Sequence, residues 1–294
     1  MSLSWVRGDP RVGLALARPY PAAVSLIRFV KGHGTENDFV LLPDADVPLS
    51  PDLVRALCDR RAGIGGDGVL RVERCPDGWF MDYRNADGSV AEMCGNGIRV
   101  FARHLVDAGL VEPGTLPIVT RAGVRTVQVP ASGDVTVEMG VPTAVPDLEA
   151  SPAVDGRPGT AISFGNPHVV VELADVDELA ALDLSRPPVV RPPLRDGQNV
   201  EYVVRRGPRA LALRVHERGV GETRSCGTGV CAAVVAAVAW SGGDGLDDPW
   251  MVDVPGGRLS VTWLSAGPVL LSGPAVLVAR GEVDTEALAR LSPG

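Results

Sequence analysis

Lysine is almost missing from this chain: Lys31 stands alone among 294 residues. A pyridoxal phosphate enzyme needs a lysine for its Schiff base. Only Lys31, ahead of Gly32-His33-Gly34, is available for that role, and nothing else in the sequence suggests a pyridoxal site. No basic cluster is present, and a net charge of −8 argues against nucleic acid as a partner. Cysteine is also sparse. Cys58, Cys75, Cys94, Cys226 and Cys231 form neither a metal-like cluster nor an even disulfide framework, and no Cys-x-x-Cys occurs. Without a secretory signal they read as reduced, cytosolic thiols. The start of the chain has no long apolar run, because Arg7, Asp9, Pro10, Arg18 and Pro19 interrupt it. Residues 1–25 are therefore expected to be an extension outside any site, neither signal peptide nor membrane span. The glycine-dense stretch 62–68 has no Lys-Ser/Thr pair and no long helix after it, which excludes a phosphate-binding loop.

What is present concentrates in residues 217–240. Glu217-Arg218-Gly219 leads to Ser225-Cys226-Gly227-Thr228-Gly229, and an alanine- and valine-rich run follows to Trp240. That run is apolar all round and too long for an ordinary strand, so it reads as a buried helix. Its first turn would offer bare backbone N–H groups and the positive end of the helix dipole. A cysteine there tends towards a usable thiolate. The arrangement recurs in Met93-Cys94-Gly95-Asn96-Gly97, which opens a second helix-like run over 98–106. Asn37 precedes Cys94 by 57 residues and Asn166 precedes Cys226 by 60; Asn85 and Glu217 each stand nine residues before a cysteine. Matching landmarks in two half-chains indicate an internal duplication with pseudo-two-fold symmetry.

Around these helices the chain reads as many short strands. Alternation or β-branched runs predict strands over 27–31, 39–42, 69–72, 79–83, 161–164, 169–173, 198–204, 210–216, 250–254, 259–264 and 270–272, with further short ones between 116 and 139. Short helices are expected over 49–58, where Ser50-Pro51 supplies a cap, and over 176–182. Asn85-Ala86-Asp87-Gly88 is a tight turn, the proline-rich stretch 141–158 a crossing between halves, and 187–193 a loop. The fold class is α+β: two pseudo-symmetric α/β domains, each a curled, mostly antiparallel sheet around a central buried helix. The expected bounds are 26–141 and 142–274, with a last strand over 275–290 returning to the first half.

Two cysteines on two helix starts suit a two-base proton shuttle without metal or cofactor. One thiolate takes a proton from a carbon beside a carboxylate, and the other thiol returns one to the opposite face. Backbone donors at Gly95-Asn96 and Gly227-Thr228 would absorb the charge of the enediolate-like transition state. One sulfur must be thiolate while the other is thiol. Taken singly, each element has a plainer reading. A buried cysteine is ordinarily a small hydrophobe, as expected of Cys58, Cys75 and Cys231. His168 reads alone as a core histidine, the Asn-containing motifs as turns, and Glu217-Arg218 as a surface ion pair. The paired recurrence favours the shuttle, while a redox disulfide between Cys94 and Cys226 stays open.

At these residues the chain resembles the diaminopimelate epimerase family. The ordered set that carries the resemblance runs through 29–40, 61–70, 83–99, 165–168, 199–202 and 217–233. The resemblance implies a pyridoxal-independent isomerase that interconverts LL- and meso-2,6-diaminopimelate, for lysine and peptidoglycan synthesis, as a cytoplasmic homodimer. It implies Cys94 and Cys226 as the acid/base thiols. Asn37, Asn85, Asn166, Asn199, Glu217 and Arg218 would bind the substrate's distal centre. Gly95, Asn96, Gly227 and Thr228 would cradle the reacting carboxylate, and His168 with Glu217 would tune the thiols. Gly68 stands where many relatives carry a glutamine that contacts substrate. Proline and hydroxyproline racemases are similar in fold and paired cysteines, but their substrates have no second amino-acid centre. Phenazine-pathway isomerases lack the cysteine pair. A non-catalytic redox or metabolite-binding protein on the same fold is the remaining alternative.

Overall fold

A computed structural model describes residues 26–289, except 45, 147, 149 and 196. The expected extension 1–25 and the end of the last expected strand lie outside the described residues. The first run of elements is β1 (Leu26–Gly34), β2 (Asn37–Leu42), α1 (Pro51–Cys58), β3 (Gly68–Cys75), β4 (Gly78–Asn85), α2 (Gly95–Asp107), β5 (Gly114–Thr120), β6 (Gly123–Val129) and β7 (Val135–Gly140). After β8 (Ala153–Val154) and β9 (Arg157–Pro158) comes a second run. It comprises β10 (Thr160–Ser163), β11 (Pro167–Glu172), α3 (Val176–Ala181), β12 (Val190–Arg191), β13 (Asn199–Gly207), β14 (Ala210–Glu217), β15 (Gly221–Thr223), α4 (Gly227–Trp240), β16 (Trp250–Val254), β17 (Gly257–Trp263) and β18 (Val269–Gly273). The chain closes with β19 (Val276–Asp284) and α5 (Thr285–Ala289).

The repeat is written in the pairing directions. From β1 to β7 successive neighbours pair antiparallel, parallel, antiparallel, parallel, antiparallel and antiparallel. The series β10, β11, β13, β14, β16, β17, β18 repeats that order. Parallel neighbours need a crossover, and each parallel step carries a helix: α1 and α2 in the first run, α3 and α4 in the second. β7 and β18 then pair antiparallel with each other, so the two curled sheets join into one of sixteen strands. β19 adds an edge strand beside β1. The proline-rich crossing is not unstructured. It holds the hairpin β8–β9, which pairs with β12 inside the expected 187–193 loop. Two-residue strands leave no periodicity to read, which is why the sequence concealed them.

The helices form for different reasons. Ser50 caps α1 by accepting from the Leu53 N–H, with Pro51 at the first helical position. In α4 no polar residue competes with the backbone after Thr228, and Gly227 and every residue from 229 to 238 are buried. Burying each valine there stabilises by roughly 1.5–3 kcal/mol, so packing selects the helix where β-branched residues would locally disfavour it. One core cluster surrounds both α2 and α4. A second lies under α3, and a third joins α1 to α5. No helix among the described residues is long and apolar enough to cross a membrane.

Candidate active site

Each cysteine is the N-cap of its helix. Cys94 precedes α2 with its sulfur 3.4 Å from the Gly97 N–H, and Cys226 precedes α4. The two helices meet end to end at glycine. A Cβ built on Gly227 would lie 3.1 Å from the Gly95 Cα, and one on Gly95 3.4 Å from the Gly227 Cα. Only bare backbone permits this approach. Two positive helix termini therefore converge on one spot, the electrostatics an anionic carboxylate or enediolate requires. A cleft of about 1350 Å³ opens there, and both cysteines line it.

The sequence-predicted residues distribute as follows. Asn37, Asn85 and Asn96 line the cleft from the first half, while Asn166, Asn199, Glu217, Arg218, Gly227 and Thr228 line it from the second. Asn37 opens β2, Asn85 closes β4, Asn166 sits on the turn before β11, and Asn199 opens β13. Asn199 Oδ1 accepts from the Arg218 N–H at 2.9 Å and so fixes the start of the Arg218 turn. Glu217 ends β14, and its carboxylate accepts a short hydrogen bond from the Thr223 hydroxyl. Arg60, Arg125 and Arg224 join Arg218 around the cleft, among the carboxylates of Glu36, Asp67, Asp87, Glu92, Glu217 and Glu222.

Two expectations change. Gly95 does not line the cleft, because its Cα is packed against Gly227. His168 is wholly buried behind the wall, where Nδ1 meets Glu201 Oε1 at 2.7 Å. Glu201 was not anticipated. Its signal was a lone carboxylate in an otherwise buried apolar strand, a costly placement unless it is paired. Also unforeseen was the tie between halves: Asn96 Nδ2 donates to the Ser225 carbonyl at 3.1 Å, and Thr35 Oγ1 to Ser225 Oγ at 2.7 Å. Arg99, fully buried, donates to the Gly95 carbonyl at 3.0 Å and so steadies the first turn of α2. Gly68 admits no side chain, since a Cβ there would meet the Arg84 carbonyl at 2.5 Å and the Tyr83 ring at 2.7 Å. Lys31 is occupied by Asp38 and the Gly65 carbonyl and does not line the cleft. Cys58 and Cys231 are buried as expected, whereas Cys75 is half-buried.

Burial pushes both thiols up, Cys94 to about 11 against the opposing pull of the Gly97 and Asn96 N–H groups. Cys226 is pushed up by burial and further by the negative charges of Glu217 and Glu201. Burial likewise raises the Glu217 carboxyl, only partly offset by Thr223. All five cysteines are free, and among the described residues no three His, Cys, Asp or Glu side chains gather as a metal site.

Residues 29–145 and 160–278 match the family model described as diaminopimelate epimerase. A diaminopimelate epimerase of Streptomyces coelicolor is 52% identical over 281 residues, spanning 88% of this chain and 96% of its own. One from Thermobifida fusca is 50% identical over 283 residues, spanning 89% and 100%. Among solved structures, a phenazine biosynthesis protein of Bacillus anthracis superposes with TM-score 0.66 at 17% identity, covering 88% of this chain and 99% of that one. A hydroxyproline epimerase of Agrobacterium vitis superposes with TM-score 0.61 at 16% identity, covering 88% and 91%. At those identities the likeness is one of fold.

Proposed function

The chain belongs to the diaminopimelate epimerase family and is an isomerase; on that premise we propose that it interconverts LL- and meso-2,6-diaminopimelate by two-base proton transfer between Cys94 and Cys226. The observation that carries this reading is the pair of cysteines, each capping a helix whose first glycine touches the other's. One sulfur, as thiolate, removes the α-proton; the other, as thiol, delivers a proton to the opposite face. The N–H groups of both helix starts and the two dipoles stabilise the developing enediolate. Gly95 takes part through its backbone alone. Asn37, Asn85, Asn166, Asn199, Glu217 and Arg218 hold the distal amino-acid centre, and His168 acts on the thiols only from behind the wall. Each half, 26–141 and 142–274, is proposed as a domain with the substrate between them. The product serves lysine and peptidoglycan synthesis.

Five free thiols suit a reducing compartment, which supports a cytoplasmic enzyme. The β19 edge, with Val276 and Val278 exposed, supports a homodimer. Light scattering at twice the 30.7 kDa chain mass checks this. The decisive measurement is proton NMR of LL-diaminopimelate with reduced protein in D2O. Loss of the α-proton signal with appearance of the meso isomer is expected. Cys94→Ala and Cys226→Ala should each lower turnover by about 10³-fold or more, and full turnover by either refutes the two-base assignment. Exchange with proline or hydroxyproline alone would move the assignment to those racemases. Silence on all three substrates would favour a redox or metabolite-binding role.

A further inference from the structure

The hydrogen bonds around Cys94 fix the polarity of the side chain that its sulfur meets. Asn37 Nδ2 donates to Asp67 Oδ2 at 2.7 Å, and a carboxylate only accepts. Asn96 Nδ2, whose orientation is set by the Ser225 carbonyl, donates to Asn37 Oδ1 at 3.2 Å. Both constraints turn the oxygen of the Asn37 amide, not its nitrogen, towards Cys94 Sγ, 3.6 Å away. An S–H group satisfies that oxygen, whereas a thiolate is repelled by it. The Gly97 N–H on the other side of the sulfur is compatible with a thiol, which accepts as well as donates. In the second half the polarity is not fixed. Asn166 Nδ2 donates to Thr228 Oγ1 at 3.3 Å, and Thr228 Oγ1, 3.5 Å from Cys226 Sγ, is able either to donate to the sulfur or to accept from it.

From this geometry we propose that Asp67 is a positioning residue: by fixing the Asn37 amide it favours the protonated, donating form of Cys94. Asp67 is itself gripped by Arg60 at 2.7 Å, and Arg60 also holds Asp38. The other charged or titratable groups that act on Cys94 are Glu217 from β14, which favours the protonated form, and Arg99 from α2, which opposes it. Tyr83 from β4 is a phenol that burial pushes well above its ordinary value, so it stays neutral. The inference rests on the two-base reading, but its test needs no turnover.

Peptide-resolved alkylation of Cys94 by iodoacetamide, followed against pH in the full chain, reads the thiol directly. The Asp67→Ala change removes the acceptor that holds the Asn37 nitrogen and so lets that amide turn its nitrogen to the sulfur. The Cys94 midpoint should fall by about one pH unit, a roughly tenfold faster reaction at pH 8. Asp67→Glu should keep the wild-type profile. In an Asn37→Ala background, Asp67→Ala should add nothing, because the effect runs through the amide. A Cys94 profile unmoved by Asp67→Ala overturns the proposal, as does an equal shift in the Asn37→Ala background. Should Asp67→Ala fail to fold, Asn37→Ala decides alone: faster alkylation supports the proposal and an unchanged profile overturns it. A failed epimerase assay with the expected titration would overturn the function and leave this placement of the proton standing.

Discussion

Beneath the two cysteine-capped helix starts, the same two positions are filled in opposite ways. Phe39 lies opposite Gly68 in the β2–β3 pair, as His168 lies opposite Asn199 in the β11–β13 pair. Two residues further on stand Leu70 in the first half and Glu201 in the second. Under α2 the support is thus apolar, with Leu70 and Phe39 each 3.4 Å from where a Gly97 Cβ would sit. Under α4 it is a buried His168–Glu201 pair, with Glu201 Oε1 2.5 Å from where a Gly229 Cβ would sit. The backbone frame is common to both, and the chemistry beneath it is not. A duplicated frame sets where the sulfurs are, while the neighbours beneath each are not shared.

The sharpest way to break that contrast is to break the buried pair. Glu201→Leu leaves His168 without its partner in a dry interior and should destabilise the fold by about 3–5 kcal/mol. The double change His168→Phe with Glu201→Leu transplants the first half's apolar pair and should recover most of that loss in chemical denaturation. If the single variant is as stable as the parent, the pair is not what supports α4.

A smaller effect separates the two equivalent glycines. Gly229→Ala forces its methyl into a carboxylate held by His168 and should cost about 1–3 kcal/mol. Gly97→Ala meets only ordinary contacts and gains helix propensity, so it should fall within about 1 kcal/mol of the parent. Equal melting shifts would contradict the difference in support.

The smallest effect is in the pH response of two carboxylates, Asp38 and Glu217. Burial alone would raise Asp38, but hydrogen bonds from Arg60 and Lys31 overcome it and hold the carboxyl well below the usual range. A depressed acid stabilises the fold above its unfolded value, near pH 4, and that stability is lost as pH falls. Glu217 is raised by burial, so its contribution is favourable in acid and is lost as pH rises from about 4. Relative to the parent, Asp38→Asn should therefore lose stability with rising pH and Glu217→Gln should gain it. Slopes of the same sign would show that burial and ion pairing have been assigned to the wrong carboxylates.

Much of this was legible in the letters because glycine and asparagine interrupt apolar runs at repeated offsets. Cys94 and Cys226 stand at helix starts for that reason, and both line the cleft. Glu201 was not legible, since a single acidic letter inside 199–204 carries no spacing of its own. Its partner is 33 residues away. The Ser225 links to Thr35 and Asn96 span 190 and 129 residues and depend on how the halves dock. Asn37 donates to Asp67 and Asn166 to Thr228, so identical letters at matching places meet different partners.

The meeting of Gly95 with Gly227, and of β7 with β18, is contact between a position and its own counterpart. That is the geometry of an isologous dimer interface, here enclosed in one polypeptide. Two identical subunits joined this way would place the same cysteine environment on both faces of the substrate, and every substitution would appear twice. Covalent fusion removes that constraint. Phe39 and His168, or Asn96 and Thr228, diverge while the shared seam stays fixed, and a symmetric scaffold becomes able to surround its two cysteines differently.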